Sequence, residues 1–487
     1  MLHSVNPRTG AERDPIEEDS VQDVVNAVER ATAAAPEYAA MPLAKRAAYL
    51  RAVADALEAA RVPIVEMADF ETGLGLARFG GELDRTTGQI RAFADVVEAG
   101  DFQEVIHTPA DASAKPPRPD LRRMLIPVGP VGVFTPSNFP LAFGVAGGDT
   151  ASALAAGCTA VVKGHPSHPH SSELTAKAFI KAAIDVGAPA DTLVLLQSRA
   201  PEVSNALVTA PGIRAIAFTG SEAVGRLLLD VAASRPDPIP FYGELGSLNP
   251  VFVGAAAAAA RGSEIGKGLV ASMTMGSGQF CTKPGVVFVP TGTDGDAVVA
   301  AMESSLSALE PNVLLNQGLK KSLDAKVAAS RAVQGVREAV AVQDAPAEGF
   351  FAAPRLFVVD APTFFASPAL RHEHFGPVSI VVRCDAANMN AAATQFDGQL
   401  TATIHADEGD MAWAKALLPA LVEKAGRIVW NGYPTGVAVV PAMHHGGPYP
   451  ASTNSLHTSV GSTAIRRFLR PVVFQNLPES LLPENLV

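Results

Sequence analysis

At 487 residues, with 48% hydrophobic and 18% charged side chains and a formal net charge of −11, the chain is too long for one ordinary core and too apolar to be disordered. The acidic balance, with no Lys/Arg stripe, argues against nucleic acid as a partner. Three cysteines without paired spacing fit a reducing, cytoplasmic setting better than a disulfide framework.

Asn6, Arg8 and Thr9 stand where a secretory signal would need an apolar stretch. Leu50, Val53, Ala54 and Leu57 recur at helical spacing in an Ala/Arg/Glu-rich segment, so roughly the first hundred residues read as a layer of amphipathic helices. From Leu125 onward, short β-branched runs at 131–134, 160–163 and 193–197 alternate with Ala-rich stretches at 150–156 and 173–185. That alternation predicts βαβ units and a parallel sheet with helices on both faces. The run 139–162 is apolar enough to suggest a membrane span, but Pro140, Asp149 and its glycines favour a loop entering a core helix and then a strand, and no membrane partner is expected. A strand at 213–218 leads through Thr219-Gly220-Ser221 into a helix at 222–233, and the proline-rich stretch 235–240 cannot be helical. A second α/β stretch starts near Leu248, with 255–260 read as helix or loop. Near the end, 471–474 is strand-like and suited to a sheet edge of another subunit, which points to a homodimer or homotetramer.

Chemistry is suggested first by Cys281, in Gly276-Ser-Gly-Gln-Phe-Cys-Thr282. Small residues bring backbone amides close to the sulfur, where they can favour a thiolate and meet an oxyanion beside it. The plainer alternative, a buried small hydrophobe, is preferred for Cys158 and Cys384. Gly220-Ser221-Glu-Ala-Val-Gly225 follows a strand and opens a helix; it is either a structural turn or a place where a pyrophosphate meets backbone amides. Lys163, also at a strand end, is either a solvated lysine or a donor to a ribose hydroxyl. His165, His168 and His170 are broken by prolines and lack a completing carboxylate or thiol, so no metal is expected; His444-His445 reads as loop. Asn138, between two prolines, is either a turn cap or a polar donor in a site. Glu244 lies among glycines and apolar residues, an environment expected to raise its pKa and suit it to general-base work.

Taken together and in order, Pro136-Ser-Asn-Phe-Pro140, Lys163, Phe218-Thr-Gly-Ser221, Glu244-Leu-Gly246, Gly278-Gln-Phe-Cys281 and Glu373-His-Phe-Gly-Pro377 resemble the aldehyde dehydrogenase superfamily over nearly the whole chain. The resemblance implies an α/β fold with two Rossmann-like domains plus a bridging β oligomerisation element. It places a dinucleotide-binding domain at 1–108 and 128–246, a catalytic domain at 247–450 and the bridging element at 109–127 and 465–487. It implies Cys281 as nucleophile, Glu244 as the base that activates water and Asn138 as oxyanion donor. Lys163, His165, Gly220, Ser221, Gly225, Glu373 and Phe375 would contact a nicotinamide cofactor.

Ser137, Ser247 and Pro284-Gly285 depart from the commonest family pattern, and with Lys163-Gly-His-Pro166 and Gly446-Gly-Pro-Tyr-Pro450 they resemble the branch of 2-oxoglutarate semialdehyde dehydrogenases and an NADP-dependent fatty aldehyde dehydrogenase. Pro166 replaces the carboxylate that often selects NAD, so NADP is expected, with NAD possible and Arg199 a candidate for its extra phosphate. The expected substrate is a small-molecule aldehyde, 2,5-dioxopentanoate first and a fatty aldehyde second. The alternatives of another class are a non-catalytic cofactor-binding protein and a thiol hydrolase pairing Cys281 with His405. A CoA-dependent acylating enzyme is disfavoured by the retention of Glu244.

Overall fold

The computed structural model describes residues 1–340, 343 and 345–486. The β-branched runs 131–134, 160–164, 193–197 and 215–219 have little or no polar face, and they form strands covered on both sides. The sheet runs Leu193–Gln197, Ala160–Gly164, Val131–Phe134, Ala215–Thr219, Phe241–Glu244, all parallel. The earliest of these strands sits in the middle. The chain builds outward to one edge and then returns to the other side, so the direction of winding reverses between Val131–Phe134 and Ala215–Thr219. At such a reversal the crevice beyond the carboxyl ends of the strands is where open α/β sheets take ligands.

The helices Val21–Ala39, Leu43–Ala59, Arg61–Thr72 and Leu76–Ala99 realise the expected N-terminal helical region. Ser20 starts the first through a capping box with Asp23, satisfying a backbone donor that the helix cannot. The stretch that resembled a membrane span becomes a loop, the wholly buried helix Gly148–Ala156 and a strand. Among the described residues no helix is long and apolar enough to cross a membrane.

A second sheet is ordered Arg337–Glu338, Arg355–Asp360, Val378–Arg383, Val286–Val289, Val251–Val253, Gln399–His405, Ala425–Trp430, parallel except at its first strand. Its core stacks Phe252 on Phe288 at 4.8 Å, edged by Phe364 and Phe396. The low-complexity alanines open the helix Ala255–Thr274. A third, antiparallel sheet joins Ile106–Thr108, Leu121–Pro127 and Leu469–Gln475. The strand expected at 471–474 thus pairs first within its own chain, Pro471 opposite Leu125, and stands at the edge of that sheet.

The two large sheets meet end to end in function. Glu244 closes a strand of the first, whereas Asn249, Cys281 and Glu373 each precede a strand of the second. The carboxyl edge of one sheet therefore faces the amino edge of the other, and the candidate site occupies that seam.

Candidate active site

Cys281 is delivered by a turn through three consecutive left-handed residues, Gly276, Ser277 and Gly278, with φ of 54°, 57° and 69°. At Gly278 a Cβ would lie 2.2 Å from the Gly376 carbonyl oxygen, so glycine is required by both the backbone and the close approach of the 373–377 segment. Gln279 locks the turn: its Oε1 accepts the Leu315 N–H at 2.9 Å, and its Nε2 donates to the Gly276 carbonyl at 3.1 Å. Beyond the sulfur, the Asn249 side-chain amide donates to the carbonyls of Cys281 at 2.8 Å and Lys283 at 2.9 Å. Asn249 is itself left-handed, at φ 49°, and is held by Ser247 and Gln399.

Glu244 is buried, and both its oxygens are occupied. Its Oε1 lies 2.9 Å from His445 Nε2, and its Oε2 accepts from Ser459 Oγ at 2.8 Å. The same His445 Nε2 lies 3.4 Å from Cys281 Sγ, so a thiol, an imidazole and a carboxylate converge with their reactive atoms within 4.8 Å. His445 is only 2% exposed and is fixed by its backbone, which donates to Thr458 Oγ1 and accepts from the Ser459 N–H. His444-His445 lies in a loop as read, but His445, which was not a candidate for the site, stands at its centre. Its signal in sequence was slight, because a histidine before Gly-Gly looks the same whether or not its loop folds back over the sheet. His405, the histidine weighed as a partner for the thiol, packs instead against Tyr433.

Two electrostatic expectations are overturned. Burial pushes the Cys281 thiol well above its ordinary pKa, and the adjacent Glu244 carboxylate pushes it the same way; Arg85 opposes them. These surroundings favour the thiol over the thiolate. For Glu244, burial favours the neutral acid as expected, but the His445 charge and hydrogen bonds from His445, Ser459 and Cys281 outweigh it, and the net shift is downward. The like-charge effect adds to burial at the thiol, because an ionised carboxylate in the same dry pocket disfavours a thiolate, whereas Glu244 is governed by the groups that face it.

Asn138 is not a local turn cap. It is buried, and its Nδ2 donates to the Gln279 carbonyl at 2.9 Å, across the seam. This orients the amide beside the cysteine turn and leaves its second N–H uncommitted, while the Cys281 N–H has no acceptor among the described residues. Donors so placed suit an oxyanion beside the sulfur.

The remaining candidates lie along the carboxyl ends of the first sheet and the facing edge of the second. Lys163 is buried and not a solvated lysine; it donates to the Ser198 carbonyl at 2.6 Å, and burial lowers its pKa to about 8. Half-buried His165 is driven well below its usual value by burial, with His168 and Lys163 adding to it. The Arg199 backbone N–H and Ser198 Oγ hold Glu18, and the Arg199 side chain is exposed. Gly220 and Ser221 open the helix Glu222–Ala233, whose first turn has no side-chain cap, and Thr219 Oγ1 is buried without a partner. Gly225 serves packing: a Cβ there would lie 2.2 Å from Leu245 Cδ2. Glu373 lies against Gly246, with burial raising its carboxyl to about 7 against the pull of Lys283 and Lys326; Phe375 is half-buried nearby in sequence. An uncapped helix start, an unpaired hydroxyl and an ammonium with N–H groups to spare fit a dinucleotide's phosphates and ribose.

Comparison with known proteins agrees with this geometry. The model of the aldehyde dehydrogenase family matches residues 1–471. Over 466 residues the chain is 46% identical to alpha-ketoglutaric semialdehyde dehydrogenase 2 of Azospirillum brasilense, covering 95% of this chain and 89% of that protein. It is 44% identical to alpha-ketoglutaric semialdehyde dehydrogenase of Acinetobacter baylyi, covering 96% and 89% respectively. Among solved structures, an NADP-dependent enzyme of E. coli superposes with a TM-score of 0.82 at 24% identity, over 97% of this chain and 94% of that one.

Replacing Asn249 by alanine strands two buried carbonyls beside the nucleophile, so it is expected to cost about 2 kcal/mol or more of stability and to slow alkylation of Cys281. A lowered thermal midpoint together with a slowed iodoacetamide reaction checks this. Glu244→Gln removes a negative charge from the thiol's surroundings. The pH profile of Cys281 alkylation should move to lower pH, and an unmoved profile would refute the coupling.

Proposed function

The chain belongs to the aldehyde dehydrogenase family and is an enzyme of that class, and from that premise we propose that it oxidises 2,5-dioxopentanoate to 2-oxoglutarate with NADP. The activity rests on one observation above the others: Cys281, His445 and Glu244 converge in the seam, with Asn138 and a free backbone N–H beside the sulfur. The substrate reading is supported by the two alpha-ketoglutaric semialdehyde dehydrogenases to which the chain is similar.

Attack on the aldehyde carbon begins from a thiol whose proton has acceptors at hand in the His445–Glu244 pair. The oxyanion that forms is met by the Asn138 amide and the Cys281 N–H, an arrangement for which loss of one donor costs about 3 kcal/mol. A bound nicotinamide dinucleotide supplies the acceptor for the hydride that leaves the thiohemiacetal carbon. Lys163, Gly220, Ser221 and Glu373 would hold it, with His165, Gly225 and Phe375 shaping that side. The thioester left on Cys281 is then hydrolysed by a water that Glu244 deprotonates. A carboxylate that stays ionised while buried can take that proton, and His445 and Ser459 keep it aimed.

The preference for NADP rests on Pro166, which leaves no carboxylate three residues after Lys163, while Glu18 is already engaged by Ser198 and Arg199. We assign 1–108 and 128–246 to cofactor binding, 247–450 to catalysis, and 109–127 with 465–487 to bridging. Ile106 and Val473 expose apolar surface in the three-stranded sheet, which supports assembly as a cytoplasmic homodimer or homotetramer. A second reading, oxidation of fatty aldehydes, is favoured by one feature: Phe139, Phe143, Phe280 and Val460 form an apolar cluster adjoining the site.

Cys281→Ala should abolish oxidation while NADP still quenches intrinsic fluorescence; undiminished turnover would sink the assignment. Glu244→Gln should retain a first burst of reduced cofactor near one equivalent per site, with the steady rate down about a hundredfold or more. The wild-type initial rate with 2,5-dioxopentanoate should exceed that with dodecanal, and that with NADP should exceed that with NAD; reversal of either order overturns that part of the reading.

A further inference from the structure

The helix Leu76–Ala99 turns four polar residues, Arg78, Glu82, Arg85 and Gln89, toward the site at spacings that share one face. Three of them have evident packing partners. Arg78 donates to the Asn138 carbonyl at 2.8 Å, Glu82 accepts the N–H groups of Leu141 and Ala142, and Gln89 lies against Gly148. Arg85 has none. Its Nε and Nη2 are buried without a hydrogen-bond partner, and it forms no ion pair among the described residues.

Arg85 nevertheless points at the reaction centre. Its guanidinium carbon is 5.2 Å from the centre of the Phe143 ring and 5.9 Å from that of Phe139, and the Phe143 ring centre is 6.5 Å from that of His445. Burial weakens its hold on its proton, and its charge interacts first with Glu82 and then with Cys281 and Glu244. Glu82 does not explain it: one oxygen already takes two backbone donors, and the other faces Arg78 at 3.6 Å. Contact with aromatic faces offsets only part of the cost of drying a guanidinium. Two other donors on this face are buried without an acceptor, Arg78 Nη1 and Gln89 Nε2, but Arg78 is already committed to the Asn138 carbonyl through Nη2.

We propose that Arg85 recognises the carboxylate at the far end of the substrate, and that this single unpaired guanidinium in an aromatic pocket selects ω-carboxylated short aldehydes over uncharged ones. A guanidinium presents a planar fork of donors that matches a carboxylate with two parallel hydrogen bonds. The inference builds on the substrate reading above and supplies the group that would carry it.

The test compares wild type with Arg85→Met and Arg85→Lys on 2,5-dioxopentanoate and on pentanal, and measures inhibition of pentanal oxidation by glutarate. Arg85→Met should lose about 10- to 100-fold more in kcat/KM for 2,5-dioxopentanoate than for pentanal, mostly through KM, with any loss common to both aldehydes reflecting removal of its charge from the surroundings of Cys281. Glutarate should inhibit wild type and lose its effect in Arg85→Met, with Arg85→Lys between the two. Equal losses on both aldehydes, or no loss on either, would overturn the proposal and leave Arg85 a packing residue. The two readings fail separately. Wild type preferring uncharged aldehydes, but inhibited by glutarate only when Arg85 is present, keeps the carboxylate site and removes the substrate. Wild type preferring 2,5-dioxopentanoate with Arg85→Met unchanged keeps the substrate and removes Arg85.

Discussion

The Asn249 amide holds the site together. By donating to the carbonyls of Cys281 and Lys283 it ties the amino edge of the second sheet to the segment that leaves Glu244 at the carboxyl edge of the first. Gln399 and Ser247 fill the remaining hydrogen-bonding capacity around it, and Gln399 takes three donors on one oxygen. A buried amide with most of its partners in place is rigid because any displacement strands a carbonyl in a dry interior. The distance between sulfur and carboxylate is therefore set by a network that itself takes no part in the chemistry.

That fixed distance has an electrostatic consequence. Two groups that ionise to the same sign cannot both do so in a shared apolar pocket, and here the carboxylate prevails because His445 and Ser459 reward its charge. The thiol stays protonated and less reactive until a substrate arrives and the proton can move toward the imidazole–carboxylate pair. Glu373 shows the opposite balance on the cofactor side. Burial carries it up to about 7 and the buried Lys283 beside it down to about 8, while the attraction between the two opposes both shifts.

Much of this was legible in the residues. The alternation of β-branched and Ala-rich runs marked the parallel sheet, and glycine on either side of Ser277 marked a turn that few other residues permit, as the positive φ values of Gly276 and Gly278 bear out. The strand-end position of Lys163 followed from the same alternation, whereas the short strand Phe241–Glu244 that carries the carboxylate was not read from it. What was not legible depends on contacts between distant segments. His445 lies 201 positions from the carboxylate it touches, in a loop whose composition says only that it turns. The downward shift of Glu244 could not be foreseen without that histidine, since the local apolar surroundings argue the other way. Arg85 lies on an amphipathic helix where arginines at neighbouring turns look alike. Arg78 and Arg85 differ in that one finds a carbonyl and a carboxylate and the other finds neither.

The proposed role of Arg85 bears on the choice between the two aldehyde classes. Rings of Phe139, Phe143 and Phe280 offer contact to any aliphatic chain, and such contact discriminates weakly because each methylene contributes about as much in one chain as in another. A desolvated guanidinium discriminates strongly and in one direction. It is costly while unpaired, so a substrate that ends in carboxylate relieves that cost, and one that ends in methyl leaves it in place. Selectivity of this kind needs no shape change in the apolar walls. On the proposed role of Arg85, loss of one charge on the helix Leu76–Ala99 removes the preference for an acidic aldehyde while the aromatic walls and the Asn249 tether stay in place.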